Sequence, residues 1–329
     1  MIVAKGNSVT DPFFDIAEDR VHGTTAVHKY GRNADITGAL EALWNGGGSY
    51  TGHDCTQAEI LETFSSSAAD AGTLLSSGTA TGGSKTTLID TAATFVTDGV
   101  AVGDVLINDT LIDHALVTAV AETQLTFLRM SDGTSNVVGN AYRVATQAST
   151  GAPVAKLGFL LDGDFDNETS EYIILNGATA VNAVDTVGTY IRHSRGKCFG
   201  GTNAGSITTR QKTTTANITM VMPIGYNATM IAAYTIPKGK KALFTGWFAS
   251  LARKASGFSN VRLVIRSVNC EFQVKEELTI SSAGSSYILR QYQVPKNSVS
   301  EMSDIVIEAD ASGAMGIAGG FDLILKDMT

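Results

Sequence analysis

The chain has 329 residues, a formal charge of -8 and a sequence pI near 5.1. That balance argues against duplex nucleic acid as a partner of the whole chain, and no window approaches the ~20 apolar residues of a membrane-spanning helix. The length exceeds what one hydrophobic core usually serves, so two or three domains are expected.

Five prolines, 34 glycines and abundant threonine, serine and alanine suit many short strands joined by glycine-rich turns, so a mainly β chain is expected. Cys55, Cys198 and Cys270 are odd in number and far apart, with no CxxC spacing. They read as buried or semi-buried thiols of a protein made in a reducing cytoplasm, with no disulfide framework and no zinc knuckle. The start, MIVAKGNSVTDPFFDIAEDR, resembles neither a signal peptide nor a membrane anchor. Asn108, Asn167, Asn217 and Asn227 match the N-x-Ser/Thr pattern, as expected by chance in a Thr-rich chain.

Residues 1–30, with adjacent Pro12, Phe13 and Phe14, read as an arm stable only when laid on something else, either a neighbouring subunit or the capsid floor, or its own domain. Ile36, Leu40 and Leu43 then fall at i, i+4 and i+7, which predicts a short helix capped by Asp35 and ended by Asn45-Gly46-Gly47-Gly48. Trp44 is expected to be buried against a sheet. Residues 76–148 differ in character. SSGTATGGSK reads as a flexible lead-in, and four or five short β runs follow, with turns at Asp98-Gly99, Gly103-Asp104 and Asp132-Gly133.

Leu157–Leu161 and Tyr172–Leu175 read as paired strands, with a turn at Asn176-Gly177. Ala228–Ile236 and Ala242–Ala252 read as a hairpin turning at Pro237 and Gly239. Strict alternation along the second strand places Leu243, Thr245, Trp247 and Ala249 on one side, and Phe244, Gly246, Phe248 and Ser250 on the other. Both rows are apolar, so both faces are expected to be covered, in the middle of a sandwich or at a subunit contact. Met230, Tyr234, Phe244, Trp247 and Phe248 are the candidate core or oligomer contacts. Runs at 261–268, 271–274, 287–294, 304–309 and 321–325 complete an antiparallel, jelly-roll-like sandwich. Within it, period two faces Val261, Leu263 and Ile265 together.

The run GYNATMIAAYTIPKGKKALFTGWFASLAR resembles a family of uncharacterised structural proteins of tailed bacteriophages. The likeness continues in GRNADITGALEALWNGGGSYT, ILNGATAVNAV, SDIVIEAD and GGFDLILKD, and covers most of the chain outside about 76–148. It favours a strand at 58–67, where the residues alone are ambiguous. Residues 76–148 are similar to small barrel-like modules inserted in phage fibre and decoration proteins, and the flanking segments rejoin as if the insert were absent. The domain plan is therefore an arm and helix at 1–57, a β-rich domain at 58–75 plus 149–205, an insertion at 76–148 with its ends close together, and a sandwich at 206–329.

The resemblance implies a virion component assembled in the host cytoplasm: a capsid decoration (cement) or head-fibre protein, homotrimeric, bound to the major capsid protein, with no catalytic residues and no cofactor. A tail or fibre protein recognising host surface glycans is the alternative. Phe258, an aromatic in the loop KASGFS, is the residue placed for glycan contact.

Other motifs fall short. Asp162, Asp164 and Asp166 alternate as calcium ligands might, but Asn167 and Ile173 stand where an EF-hand loop needs glycine and glutamate, so a solvated hairpin tip is expected. The five histidines lack zinc spacing, and no nucleophile elbow or phosphate loop is present. Glu276 and Glu277 are adjacent on a strand and face opposite sides, so they cannot flank one sugar bond. Arg192, His193, Arg195 and Lys197 form a small basic patch.

Overall fold

The computed structural model describes residues 15–16, 21–50, 60–147, 150–161, 164–183, 190–253, 257–267, 270–284 and 286–328. Among these the chain is mainly β, with antiparallel strands and no helical element beyond Asp15-Ile16. It divides into two compact units, residues 1–54, 160–168 and 230–329, and residues 55–159 and 169–229.

In the first unit, one sheet runs in the order β1 (Thr24–Ile36), β23 (Met315–Asp327), β18 (Lys240–Arg253), β21 (Tyr287–Val299). A second runs β17 (Ala233–Thr235), β22 (Asp304–Ala311), β19 (Phe258–Arg266), β20 (Gln273–Ser281), and β2 (Glu41–Ala42) also pairs with β22. Residues from both sheets share one apolar core, including Tyr234, Phe244, Trp247, Leu263, Ile307 and Phe321. Val261, Leu263 and Ile265 all enter it, as their spacing predicts.

Three expectations change here. The segment predicted as a helix is the end of β1 followed by β2. The Glu41 carboxylate accepts from Gly48 N at 2.8 Å, Asn33 Nδ2 at 3.0 Å and Thr37 N at 3.3 Å, closing a loop where a helix would have run. Leu40, on the supposed apolar face, is exposed, while Ile36, Leu43 and Trp44 are buried. The arm is likewise a strand from Thr24 onward, paired along β23 from Thr24↔Lys326 to Ile36↔Met315. Its glycine at 31 is forced: a Cβ there would lie 2.0 Å from the Leu43 carbonyl oxygen. Pro12, Phe13 and Phe14 lie outside the described residues.

The hairpin is not one. Pro237 and Gly239 make the expected turn, with Lys240 N donating to Pro237 O and Gly239 at φ +74°. The strands it joins belong to different sheets, β17 on β22 and β18 between β21 and β23. Turn chemistry fixes where a chain reverses, not which neighbour it then pairs with.

In the second unit a seven-stranded sheet runs β4 (Leu74–Thr79), β10 (Ala141–Ala145), β7 (Val105–Asn108), β8 (Asp113–Ala121), β9 (Gln124–Phe127), β6 (Thr87–Ile89), β5 (Gly82–Gly83). The supposedly flexible SSGTATGGSK supplies both end strands. Ala80, between them, is buried, with its N–H on Asn140 O, while Thr81 N reaches Ile89 O. The module has its own core around Leu88, Phe95, Leu125, Phe127 and Tyr142. Its ends meet as expected, Thr146 N donating to Thr73 O at 3.0 Å and Thr73 N to Thr146 Oγ1 at 2.9 Å. It is not independent, however: Val105 and Ile107 pack with Val154 and Tyr172 of the surrounding unit.

That surrounding part has two sheets. One is β12 (Asp164–Ile174), β11 (Val154–Leu161), β14 (Tyr190–Phe199), and the other is β13 (Val181–Asn182), β3 (Leu61–Ser65), β15 (Ile207–Gln211), β16 (Ile218–Met222). Because β15 pairs with β3, residues 206–229 belong with this unit and not with the C-terminal sheets. The fully buried Asp70 ties the unit together, accepting from Ala152 N, Ala204 N, Gly205 N and the Ser65 hydroxyl at 2.6–2.8 Å.

Candidate functional site

The residues predicted for core and subunit contact divide on β18. Thr245 is the extra residue of a β-bulge: Phe244 pairs with Leu323 but Gly246 with Asp322. The bulge shifts the alternation by one, so Phe244 and Trp247 lie on the same side, both in the core, whereas strict period two separates them. Trp247 is fully buried and donates its indole N–H to Glu276 Oε2 at 3.0 Å. Tyr234 is also core, with Lys29 Nζ 4.9 Å from its ring centroid, and Met230 is half-buried.

Phe248 faces the other way. Its ring stacks with Tyr30 at 6.4 Å and with His28 at 6.3 Å between centroids, and it lies over Gly320, where a Cβ would meet the ring at 2.8 Å. Leu289, directly opposite Phe248 on β21, is 45% exposed, and Tyr30 is 39% exposed. Tyr287, two residues before Leu289 on the same face, is 53% exposed. The outer face of this sheet therefore carries a row, Tyr30–Phe248–Leu289, that runs over Gly320 of β23 across all four strands and that the described residues leave partly open. Within the chain one face of β18 lies in the core, and the other, open to a subunit contact, carries this row. Beside the row, His28 Nδ1 and Asp322 Oδ1 lie 2.6 Å apart, a polar pair on an apolar field.

A cavity of about 440 Å³ opens between the two sheets of this unit. Phe244, Leu263, Ile265 and Val299 give it apolar walls, and Glu276, Lys275 and Tyr292 a polar lip. Burial, with a hydrogen bond to Glu276, keeps the Tyr292 hydroxyl protonated well past its ordinary range. Glu277 instead pairs with Arg262, so the two glutamates do point apart.

The other candidates fall as follows. Phe258, the residue placed for glycan contact, is 49% exposed. Tyr226 and Tyr287 are exposed, and Cys270, expected to be at least half-buried, is exposed too. Cys198 is buried, and burial pushes its thiol far above its ordinary value, with Asp70 adding to the shift. Asp162 and Cys55 lie outside the described residues. Asp164 and Asp166 fall at the start of strand β12, just after its neighbour β11. Among the described residues no group of three or more His, Cys, Asp or Glu could hold a metal ion, and no helix is long and apolar enough to cross a membrane.

No family model matches the chain, and no curated protein matches it. Among solved structures it aligns with two of infectious bursal disease virus. One is of the Gt strain, at 6% identity and a TM-score of 0.16 over 92% of this chain and 71% of that one. The other is of the Gx strain, at 6% identity and 0.11 over 93% and 82%. Likeness at that level carries no argument about fold or function.

Proposed function

We propose that the chain is a non-enzymatic structural protein of a tailed-phage virion, a capsid decoration or head-fibre protein that assembles as a homotrimer and binds the major capsid protein. The observation that carries the assembly is the open row Tyr30–Phe248–Leu289. Contiguous apolar surface of this kind marks an interaction site, and the same faces of two further copies, gathered around a threefold axis, would cover it. The virion setting rests on the family phrases in the sequence.

The strand order supports a jelly roll. Taking β1 and β17 to β23 in chain order, one sheet holds the first, eighth, third and sixth strands, and the other the second, seventh, fourth and fifth. That two-sheet order is the one used by virus-shell and lectin domains. The whole second unit is then a segment inserted between the first two strands, and its own seven-stranded sheet supports a barrel, because residues 74–83 pair with β10 at one end and β6 at the other. A density map of the intact particle tests the assignment. The chain is expected on the head, in threefold-related copies; density on the tail tip alone would replace this reading with the receptor-binding one.

A further inference from the structure

The second unit holds a recess of about 230 Å³ that period and motif did not single out. Its floor is one face of the β12-β11-β14 sheet. Arg195, Lys197 and Phe199 alternate along β14 and so share that face, with Lys156 and Gly158 beside them on β11. Gly158 has no side chain to fill the floor.

Three cations thus gather in a chain whose formal charge is -8. Among the described lining residues the carboxylate is that of Asp132, 3.6 Å from Lys156 Nζ and well exposed. The nearby Asp113 is fully buried, and its oxygens already accept from Ser131, Thr134 and two backbone N–H groups. Lys156 is not a loose surface lysine: its Nζ donates to Ile112 O at 2.8 Å and lies 5.1 Å from the Tyr172 ring centroid. One wall is aromatic, with His114 and Phe199 ring centroids 3.9 Å apart and Tyr172 5.9 Å from Phe199. Burial pushes the His114 imidazole below its ordinary range, so at neutral pH it contributes a ring and no charge.

Cations beside an aromatic wall match a ligand with an oxyanion on a flat apolar body. The recess is smaller than the ~300–1,000 Å³ of drug-sized sites, so a single ring or end group enters. We propose that it binds an acidic sugar residue, the oxyanion held by Lys156, Arg195 and Lys197 and the ring laid against Phe199. The Arg195 fork suits a carboxylate in a way an ammonium does not. This site is independent of whether the chain trimerises.

Calorimetric titration of the full chain at low salt, with glucuronic acid, N-acetylneuraminic acid, glucose and sodium sulfate as probes, tests it. One or both acids are expected to bind with a Kd of about a millimolar or tighter, sulfate at least about tenfold more weakly, and glucose not at all. Arg195→Ala and Lys197→Ala, both at exposed positions, should each weaken acid binding by about tenfold without moving the melting temperature. Phe199→Leu should weaken the sugar acids and leave sulfate unchanged. Failure of both acids to saturate the protein, sulfate binding as tightly as they do, or parent affinity in the Arg195→Ala/Lys197→Ala double variant would each overturn the proposal.

Discussion

Replacing Asp70 by alanine is expected to unfold the second unit at a much lower temperature while leaving the first intact. The carboxylate accepts three backbone N–H groups, from Ala152, Ala204 and Gly205, and one hydroxyl, from Ser65, all between 2.6 and 2.8 Å. Its side chain is wholly out of water. Each buried donor left without an acceptor costs about 1–3 kcal/mol, and relaxation or an entering water recovers part of that, so the loss should be roughly 4 kcal/mol. For a unit of 150–250 residues, that corresponds to a fall of about 8–16 °C in Tm. Asp70→Asn tests the same point without a cavity, because its amide turns two hydrogens toward groups that are themselves donors. Scanning calorimetry resolves the two units if they melt apart, and hydrogen exchange at Ala152, Ala204 and Gly205 reads the effect locally. A Tm within 2 °C of the parent in both variants would refute the view that one buried carboxylate fastens these three segments.

Asp113 should make the same unit acid-sensitive. Burial raises its pKa, but hydrogen bonds from Ser131, Thr134, His114 N and Asp132 N outweigh that and hold it below the ordinary value of 3.8. A carboxylate depressed in the folded state stabilises above its unfolded pKa of about 4, and the stabilisation fades as pH falls through the folded value. Thermal melts between pH 5 and 2 should show that fading, and Asp113→Asn should flatten it; an unchanged acid slope in the variant would count against the assignment. In the first unit, Asp304 is nearly fully buried and accepts from Arg266 at 2.8 and 3.0 Å and from Thr235 at 2.6 Å. Urea denaturation of Asp304→Ala should show a loss of about 3 kcal/mol, since removing one partner leaves the guanidinium poorly compensated.

Much of the strand content was legible because the residues that encode it are local. Val261, Leu263 and Ile265 announce their shared face by spacing, and Gly99, Gly103 and Gly133 sit at positive φ where their turns were expected. Long-range decisions were not legible. Ile36, Leu40 and Leu43 keep helical spacing, yet β23 offers a full partner for the chain before them, and pairing overrides a short periodicity. The bulge at Thr245 does carry a local mark, Gly246 inside the strand pattern, but a glycine there does not say which residue is extra, so strict alternation misses the shift that puts Phe244 and Trp247 together. The cationic recess draws on four strands and a loop distant in sequence; only the Arg195–Lys197 part of it stood out as a basic patch. Likewise, nothing local tells that residues 24–36 close the same core as residues 230–329.

Sedimentation velocity of the purified chain at micromolar concentration, beside a Phe248→Asp/Leu289→Asp variant, tests the open sheet face most directly. Both sites lie on the outer side of the sheet, so the variant should keep its β-sheet circular dichroism and its melting cooperativity. The parent is expected to sediment at three times the 34.4 kDa chain mass and the variant as a monomer. A parent that is monomeric throughout, or a variant that stays trimeric, would contradict assembly through this face.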